Sequence, residues 1–222
     1  MGLLNIIRDL CISLLLFLVF GTAFAEITFP LSAAEKTRAQ EQEEEFPMNW
    51  EKSTVSRGFG NSIPDLAERL DLAQQFKSGE VAYFFRNYEK AMSLWLPLAE
   101  SGLADAQTNI GWIYQRGLGV EIDLQKAKFW YLKAVKQNHS IAQNNLGAMY
   151  EHGLGVEQDN KLAFEYYRLA AKSDYRFAYY NLGSAYLNGI GTKIDKKAAK
   201  YWLQKAVDNK VEQANKLLRN IN

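Results

Sequence analysis

The chain has 222 residues, a formal net charge of +1 and 48% hydrophobic residues. A charge this near zero disfavours nucleic acid as the main ligand, because neutralising phosphates needs a clear excess of Lys and Arg on one face. The apolar content is ample for a packed core. The only cysteine, Cys11, lies in an apolar N-terminal stretch, so a chain processed beyond it has no disulfide, no thiolate nucleophile and no cysteine-ligated zinc site.

Residues 1–25 have the layout of a secretory signal peptide. Arg8 marks the basic n-region, Leu10 to Phe20 form the apolar run, and Ala23-Phe24-Ala25 provide an A-x-A cleavage site. Cleavage is expected after Ala25, giving an exported chain, periplasmic or secreted. The competing reading is an uncleaved anchor, but the apolar run is short against the roughly 20 residues of a bilayer span. Residues 26–61 read as a disordered acidic linker. The run Glu41-Gln42-Glu43-Glu44-Glu45 precedes Phe46-Pro47-Met48-Asn49-Trp50, and no apolar periodicity persists. Phe46 and Trp50 within it could form a short docking motif.

Regular structure is expected from Ser62. Ser62 or Asp65 can cap a helix and Pro64 suits its first turn. Leu66, Leu70, Ala73 and Phe76 recur at helical spacing, which predicts a helix from about Asp65 to Phe85. Asn87-Tyr88-Glu89-Lys90-Ala91 resembles the inter-helix turn and second-helix start of a tetratricopeptide repeat, which implies a second helix in which Pro97 predicts a bend or an early ending. Residues 62–105 make up a divergent leading unit.

From Ala106 the sequence stacks on itself with a period of 36. Ala106, Ala142, Ala178 and Ala214 share one column. Gly111, Gly147 and Gly183 share another, each after Ile110, Leu146 or Leu182. Tyr114, Tyr150 and Tyr186 follow, then Gly117/Gly119, Gly153/Gly155 and Gly189/Gly191, then Asp123, Asp159 and Asp195, then Ala127, Ala163 and Ala199. A fixed period in this range signals a solenoid. The physics of each column is local. The first Gly lets a neighbouring helix approach, the Gly pair ends helix A, Asp caps helix B, and Ala127, Tyr131 and Ala134 return helix B onto helix A. The units are residues 106–141, 142–177 and 178–213, and residues 214–222 begin a capping helix whose polar end suits a solenoid terminus. The expected fold is all-α, a right-handed α-solenoid of antiparallel helix pairs.

The pattern A-x-x-x-[LI]-G-x-x-Y-x-x-G-x-G followed by D-x-x-x-A resembles the Sel1-like subfamily of tetratricopeptide repeats, of the bacterial secreted or periplasmic type. The resemblance implies a non-enzymatic scaffold that binds a protein or peptide on the concave face. It also implies roles in assembling complexes and, in some bacteria, in contact with host cells. Two other readings stay open: a regulatory subunit of a cell-envelope enzyme acting on peptidoglycan, and a membrane-tethered adaptor if the signal is retained. A monomer is expected, with membrane contact only through an uncleaved signal segment.

Catalytic and metal chemistry find no carrier. His139 and His152 have no two-histidine metal spacing, and no G-x-S-x-G, S-x-x-K or phosphate-cradling loop is present. Glu151 and His152 are adjacent on a helix and so do not face each other. No catalytic residue, metal ligand or cofactor is therefore assigned. The C-terminal segment is basic, with Lys193, Lys196, Lys197, Lys200, Lys205, Lys210, Lys216 and Arg219; it is read as solvated helix faces, with contact to an anionic partner or a membrane surface as the competing reading.

In such a stack the A helices line the concave face. The positions opposite Ala106–Ile110–Tyr114 lie two and six residues after each leading Ala. They are Thr108 and Trp112, Asn144 and Ala148, Tyr180 and Ser184, with Gln115, Glu151 and Leu187 a turn further on. These nine are the candidate partner-binding residues. Trp112 and Tyr180 stand out, because an exposed aromatic offers large contact area at little entropy cost. The Asn109/Asn145/Asn181 column flanks this face, next to the core side; it suits either a ladder of amides gripping a peptide or hydrogen bonding between repeats.

Overall fold

The computed structural model describes residues 66–221. The stretches read from the sequence as a signal peptide and an acidic linker, with the cap positions Ser62, Pro64 and Asp65, lie outside the described residues. All secondary structure within those residues is helical. In chain order the helices are α1 (Leu66–Phe84), α2 (Tyr88–Glu100), α3 (Ala104–Arg116), α4 (Leu124–Val135), α5 (Ser140–His152), α6 (Asn160–Lys172), α7 (Arg176–Asn188), α8 (Lys196–Asp208) and α9 (Ala214–Arg219). Each helix packs on its neighbours in sequence, the arrangement of a helix-pair solenoid. The α3, α5 and α7 starts fall two residues before Ala106, Ala142 and Ala178.

The glycine column works through the space it leaves. A Cβ on Gly111 would lie 2.7 Å from the Tyr131 ring, and one on Gly147 would lie 2.8 Å from the Tyr167 ring. Gly183 meets Leu203 at 2.7 Å in the same way. The leading helix pair repeats the device where the period does not: Gly79 lies under Trp95, with a Cβ only 2.3 Å from its indole nitrogen. Trp95, Tyr131 and Leu203 are fully buried and Tyr167 nearly so. One large side chain from each second helix therefore fills the gap left by a glycine on each first helix, and this joint recurs four times.

The loops follow the predicted local chemistry. Gly117 ends α3 with φ of 64°, a left-handed conformation that glycine adopts without strain. The carboxylates of Asp123, Asp159 and Asp195 accept from the backbone N–H of Lys126, Leu162 and Ala198 at 2.9, 3.0 and 2.9 Å. Their own N–H groups return to the carbonyls of Tyr114, Tyr150 and Tyr186, which closes each loop. The leading pair has no such loop. It turns through Arg86, at a φ of 59°, and Asn87, whose side chain accepts from Lys90 N–H at 3.2 Å.

Of the two outcomes expected at Pro97, the early ending does not occur: helix α2 runs through Pro97 to Glu100. Proline at this position deprives the Ser93 carbonyl of its helical donor. Both Pro97 and Ser93 are exposed, so water can reach that carbonyl, while Trp95, Leu98 and Ala99 anchor the opposite face. At the other end, Ala214, Val211 and Ile221 are buried, and Leu217 and Leu218 pack partly against the last core cluster.

Candidate interaction surface

The nine residues expected on the open face of the first helices divide into two groups. Thr108 and Asn144 are buried, at 1% and 7% exposure. Thr108 Oγ1 donates to the Ala104 carbonyl (2.9 Å) and lies 2.8 Å from His139 Nδ1. Asn144 Oδ1 accepts from Asn181 Nδ2 at 2.8 Å, joining α5 to α7. Neither side chain is on offer to a partner. Gln115 and Glu151 are half-buried and already engaged: Tyr131 and Tyr167 donate their hydroxyls to them at 2.7 and 2.6 Å.

The physical reason is that a helix inside a solenoid is covered on more than one side. Each of α5 and α7 touches its own partner helix and the second helix of the preceding repeat. Bonds such as Asn181–Asn144 and Trp112–Tyr83 add contact between successive first helices. Gln107, Thr108 and Asn109 are consecutive and all buried, which no single-face wheel allows. The Asn column thus has an inter-repeat role in its α5–α7 bond.

The Gln115/Glu151/Leu187 differences also have an internal cause. The facing column on the second helices is Tyr131/Tyr167/Leu203. Where the second helix supplies a tyrosine hydroxyl, the first supplies an acceptor; where it supplies Leu203, the first supplies Leu187. Burial and the Glu151 carboxylate push the Tyr167 hydroxyl pKa well above the usual tyrosine range, so it remains a donor.

Trp112, Ala148, Tyr180, Ser184 and Leu187 are half-buried. Tyr180 and Leu187 pack partly against the C-terminal core cluster. Trp112 is held differently: its indole Nε1 donates to the Tyr83 hydroxyl at 3.0 Å, and the Arg116 guanidinium lies 5.1 Å from the ring centroid. Tyr83 and Arg116 therefore join Trp112 in one aromatic and cationic shelf spanning α1 and α3. The 36-residue period hides Tyr83, because the leading unit reaches α2 through a shorter turn. Counting back from the Gly79–Trp95 joint would have revealed it. Glu80 stands on the same helix as Tyr83; burial, opposed by Lys77 and reinforced by Asp105, raises its carboxyl pKa to about 7.

His139 supplies the arrangement that most resembles catalytic chemistry. Its Nε2 lies 3.0 Å from Asp105 Oδ1 and its Nδ1 faces Thr108 Oγ1. The hydroxyl is buried, bonded to a helix carbonyl, and has no room for a substrate, so the trio ties α3 to the turn before α5. His139 stands where the neighbouring repeats place Leu103, Tyr175 and Val211, all buried, and Thr108 Oγ1 and Asp105 Oδ1 lie within hydrogen-bond distance of its two nitrogens. His152 is exposed at the end of α5. Among the described residues no three His, Cys, Asp or Glu side chains converge as a metal site requires, and no helix is long and apolar enough to cross a membrane.

Four helix pairs joined by a recurring glycine–large-residue contact define the class of a helix-pair repeat solenoid. The Sel1 repeat family model matches residues 79–103, 104–139, 140–175 and 176–211. That is more than half of the chain, and the chain belongs to the Sel1 repeat family. Among solved structures it is similar to a Sel1 repeat protein from Oxalobacter formigenes, with a TM-score of 0.60 and 33% identity, covering 65% of this chain and 57% of that one. It is also similar to c5321, described as a protective antigen present in uropathogenic Escherichia coli strains, with a TM-score of 0.60 and 32% identity over 67% of this chain and 32% of that one. A 61-residue stretch is 39% identical to the ERAD-associated E3 ubiquitin-protein ligase component HRD3 of Candida glabrata, covering 28% of this chain and 7% of that protein. The chain thus spans less than two thirds of each of these proteins. Sel1 repeats are generally protein-interaction modules, and proteins built from them are generally non-catalytic scaffolds.

Proposed function

We propose that this chain is a non-enzymatic scaffold that holds a protein or peptide across the face of its first helices, with Trp112 as the main anchor. The observation that carries the reading is the shelf of Trp112, Tyr83 and Arg116. A half-buried indole, fixed by a hydrogen bond at 3.0 Å and by a cation 5.1 Å away, is a pre-organised contact that loses little entropy on binding. In the next two repeats the Trp112 column holds Ala148 and Ser184. The large anchor thus stands at one end, with small side chains beside it that let an extended ligand lie close. Tyr180 is a weaker anchor because part of its ring serves the core.

The test is binding by Trp112→Ala, with Tyr180→Ala as a second variant and the fold checked by circular dichroism. Trp112→Ala should weaken capture of the partner on the order of 30-fold, the usual effect of losing a hot-spot aromatic; Tyr180→Ala should weaken it less. Undiminished recovery of every partner by both folded variants would overturn the reading. The proposal extends to export, which rests on the A-x-A site at Ala23-Phe24-Ala25. The mass of the processed protein checks it: a chain beginning at Glu26 is expected, and one still beginning at Met1 would refute export by cleavage.

A further inference from the structure

The near-zero net charge conceals a division by helix. The second helices of the three regular repeats, α4, α6 and α8, carry ten Lys and Arg against two acids, Glu165 and Asp208. The first helices α3, α5 and α7 carry two cations, Arg116 and Arg176, against two anions, Asp105 and Glu151. A merely solvated helix face balances the two signs; this one carries a clear excess of positive charge.

The outward side of these second helices is also apolar in places. Phe129 is 51% exposed and Tyr201, two periods later in the same column, is 61% exposed. Leu169 is 38% exposed on α6 between them. Lys133 Nζ lies 4.7 Å from the Phe129 ring centroid, and exposed Lys197 and Lys200 flank Tyr201. Exposed Lys161 supplies a cation on α6. The one outward anion of α6, Glu165, is already neutralised by Arg168.

We infer that the outward face of α4, α6 and α8 rests on an anionic bilayer surface, with Lys133, Lys161, Lys197 and Lys200 attracting headgroups while Phe129 and Tyr201 enter the interface. Three features favour a bilayer over an acidic protein. Nine of the ten cations are Lys and the single Arg is committed to Glu165. Lysine is a point charge suited to a diffuse anionic surface, whereas selective carboxylate recognition favours the bidentate fork of Arg. The charge is spread over three successive repeats rather than focused in a cleft. Aromatic rings among lysines also match the composition of interfacial anchors. This surface lies on different helices from the Trp112 shelf and does not depend on it.

The experiment is vesicle co-sedimentation of the full chain at about 0.1 M salt, with phosphatidylcholine vesicles and with vesicles containing phosphatidylglycerol. Because the N-terminal apolar stretch could itself adsorb, the comparison is between variants of the same full chain. The wild-type chain should prefer anionic vesicles. Lys133→Glu, Lys161→Glu, Lys197→Glu and Lys200→Glu combined should reduce that preference by on the order of 100-fold or more, since each basic residue near such a surface is worth about fivefold. Lys90→Glu on α2 should change little. Phe129→Ala with Tyr201→Ala should lower partition severalfold on anionic vesicles. Equal partition of the wild-type chain onto both vesicle types, or no effect of the four charge reversals in a folded variant, would overturn the inference. Tighter capture by soluble polyglutamate or a DNA duplex than by anionic vesicles would do so too, assigning the face to another polyanion.

Discussion

Two kinds of residue position decide how the helices pack, one within a helix pair and one between pairs. At Gly147 a methyl group would press on the Tyr167 ring at 2.8 Å, and the ring is held in place by its hydroxyl bond to Glu151. Gly147→Ala should therefore destabilise the fold by about 1–3 kcal/mol, the usual penalty for overpacking, read as a lower midpoint in urea. The turn between repeats poses a different demand. Gly102, Asn138, Asp174 and Lys210 occupy equivalent sites, and all have positive φ. Asn and Asp tolerate this conformation; Lys210, at φ of 64°, has no local compensation of that kind. Lys210→Gly should raise stability by up to about 1 kcal/mol, measured by the same denaturation. An unchanged midpoint would mean that the turn strain is negligible.

At the scale of one helix, α2 shows how exposure sets the effect of a proline. Pro97 interrupts the hydrogen-bond ladder on the solvent side, while the buried side of the helix holds Ala91, Trp95, Leu98 and Ala99. Trp95 is further fixed by its Nε1 bond to the Phe76 carbonyl at 3.0 Å. Tertiary anchoring thus keeps a helix that propensity alone would break. Pro97→Ala restores the missing donor to the Ser93 carbonyl and should stabilise the protein by about 1–3 kcal/mol; a loss of stability would show that the ring makes a packing contribution larger than the hydrogen bond it removes.

Across the whole molecule, Glu80 links stability to pH. Its carboxyl pKa is raised from 4.5 to about 7, chiefly by burial. The folded state therefore binds more protons than the unfolded state between those values. Stability falls as pH rises through that window, and the loss is complete above about 7. Denaturant melts at pH 5.5 and pH 8 should show Glu80→Gln flattening this part of the profile and stabilising the protein mainly at the higher pH. An identical pH profile for the wild-type chain and Glu80→Gln would exclude the linkage.

The sequence by itself determined the helix pairs, their glycine-ended loops and their aspartate caps. These are short-range effects: a left-handed residue, a carboxylate near free N–H groups and an apolar stripe act within a turn or two, so a period of 36 displays them openly. It determined the candidate surface only in part. Trp112 was legible as a large side chain in a column of small ones. The burial of Thr108 and Asn144 was not, because a helix wheel assumes one buried side and a solenoid covers several. Nor was the engagement of Gln115 and Glu151, whose tyrosine partners lie 16 residues away on another helix. Tyr83 joined the shelf only when the fold brought α1 beside α3 despite the shorter turn in the leading pair. Local chemistry repeats with the sequence, but exposure is a property of neighbours in space, and only the stacked structure decides it.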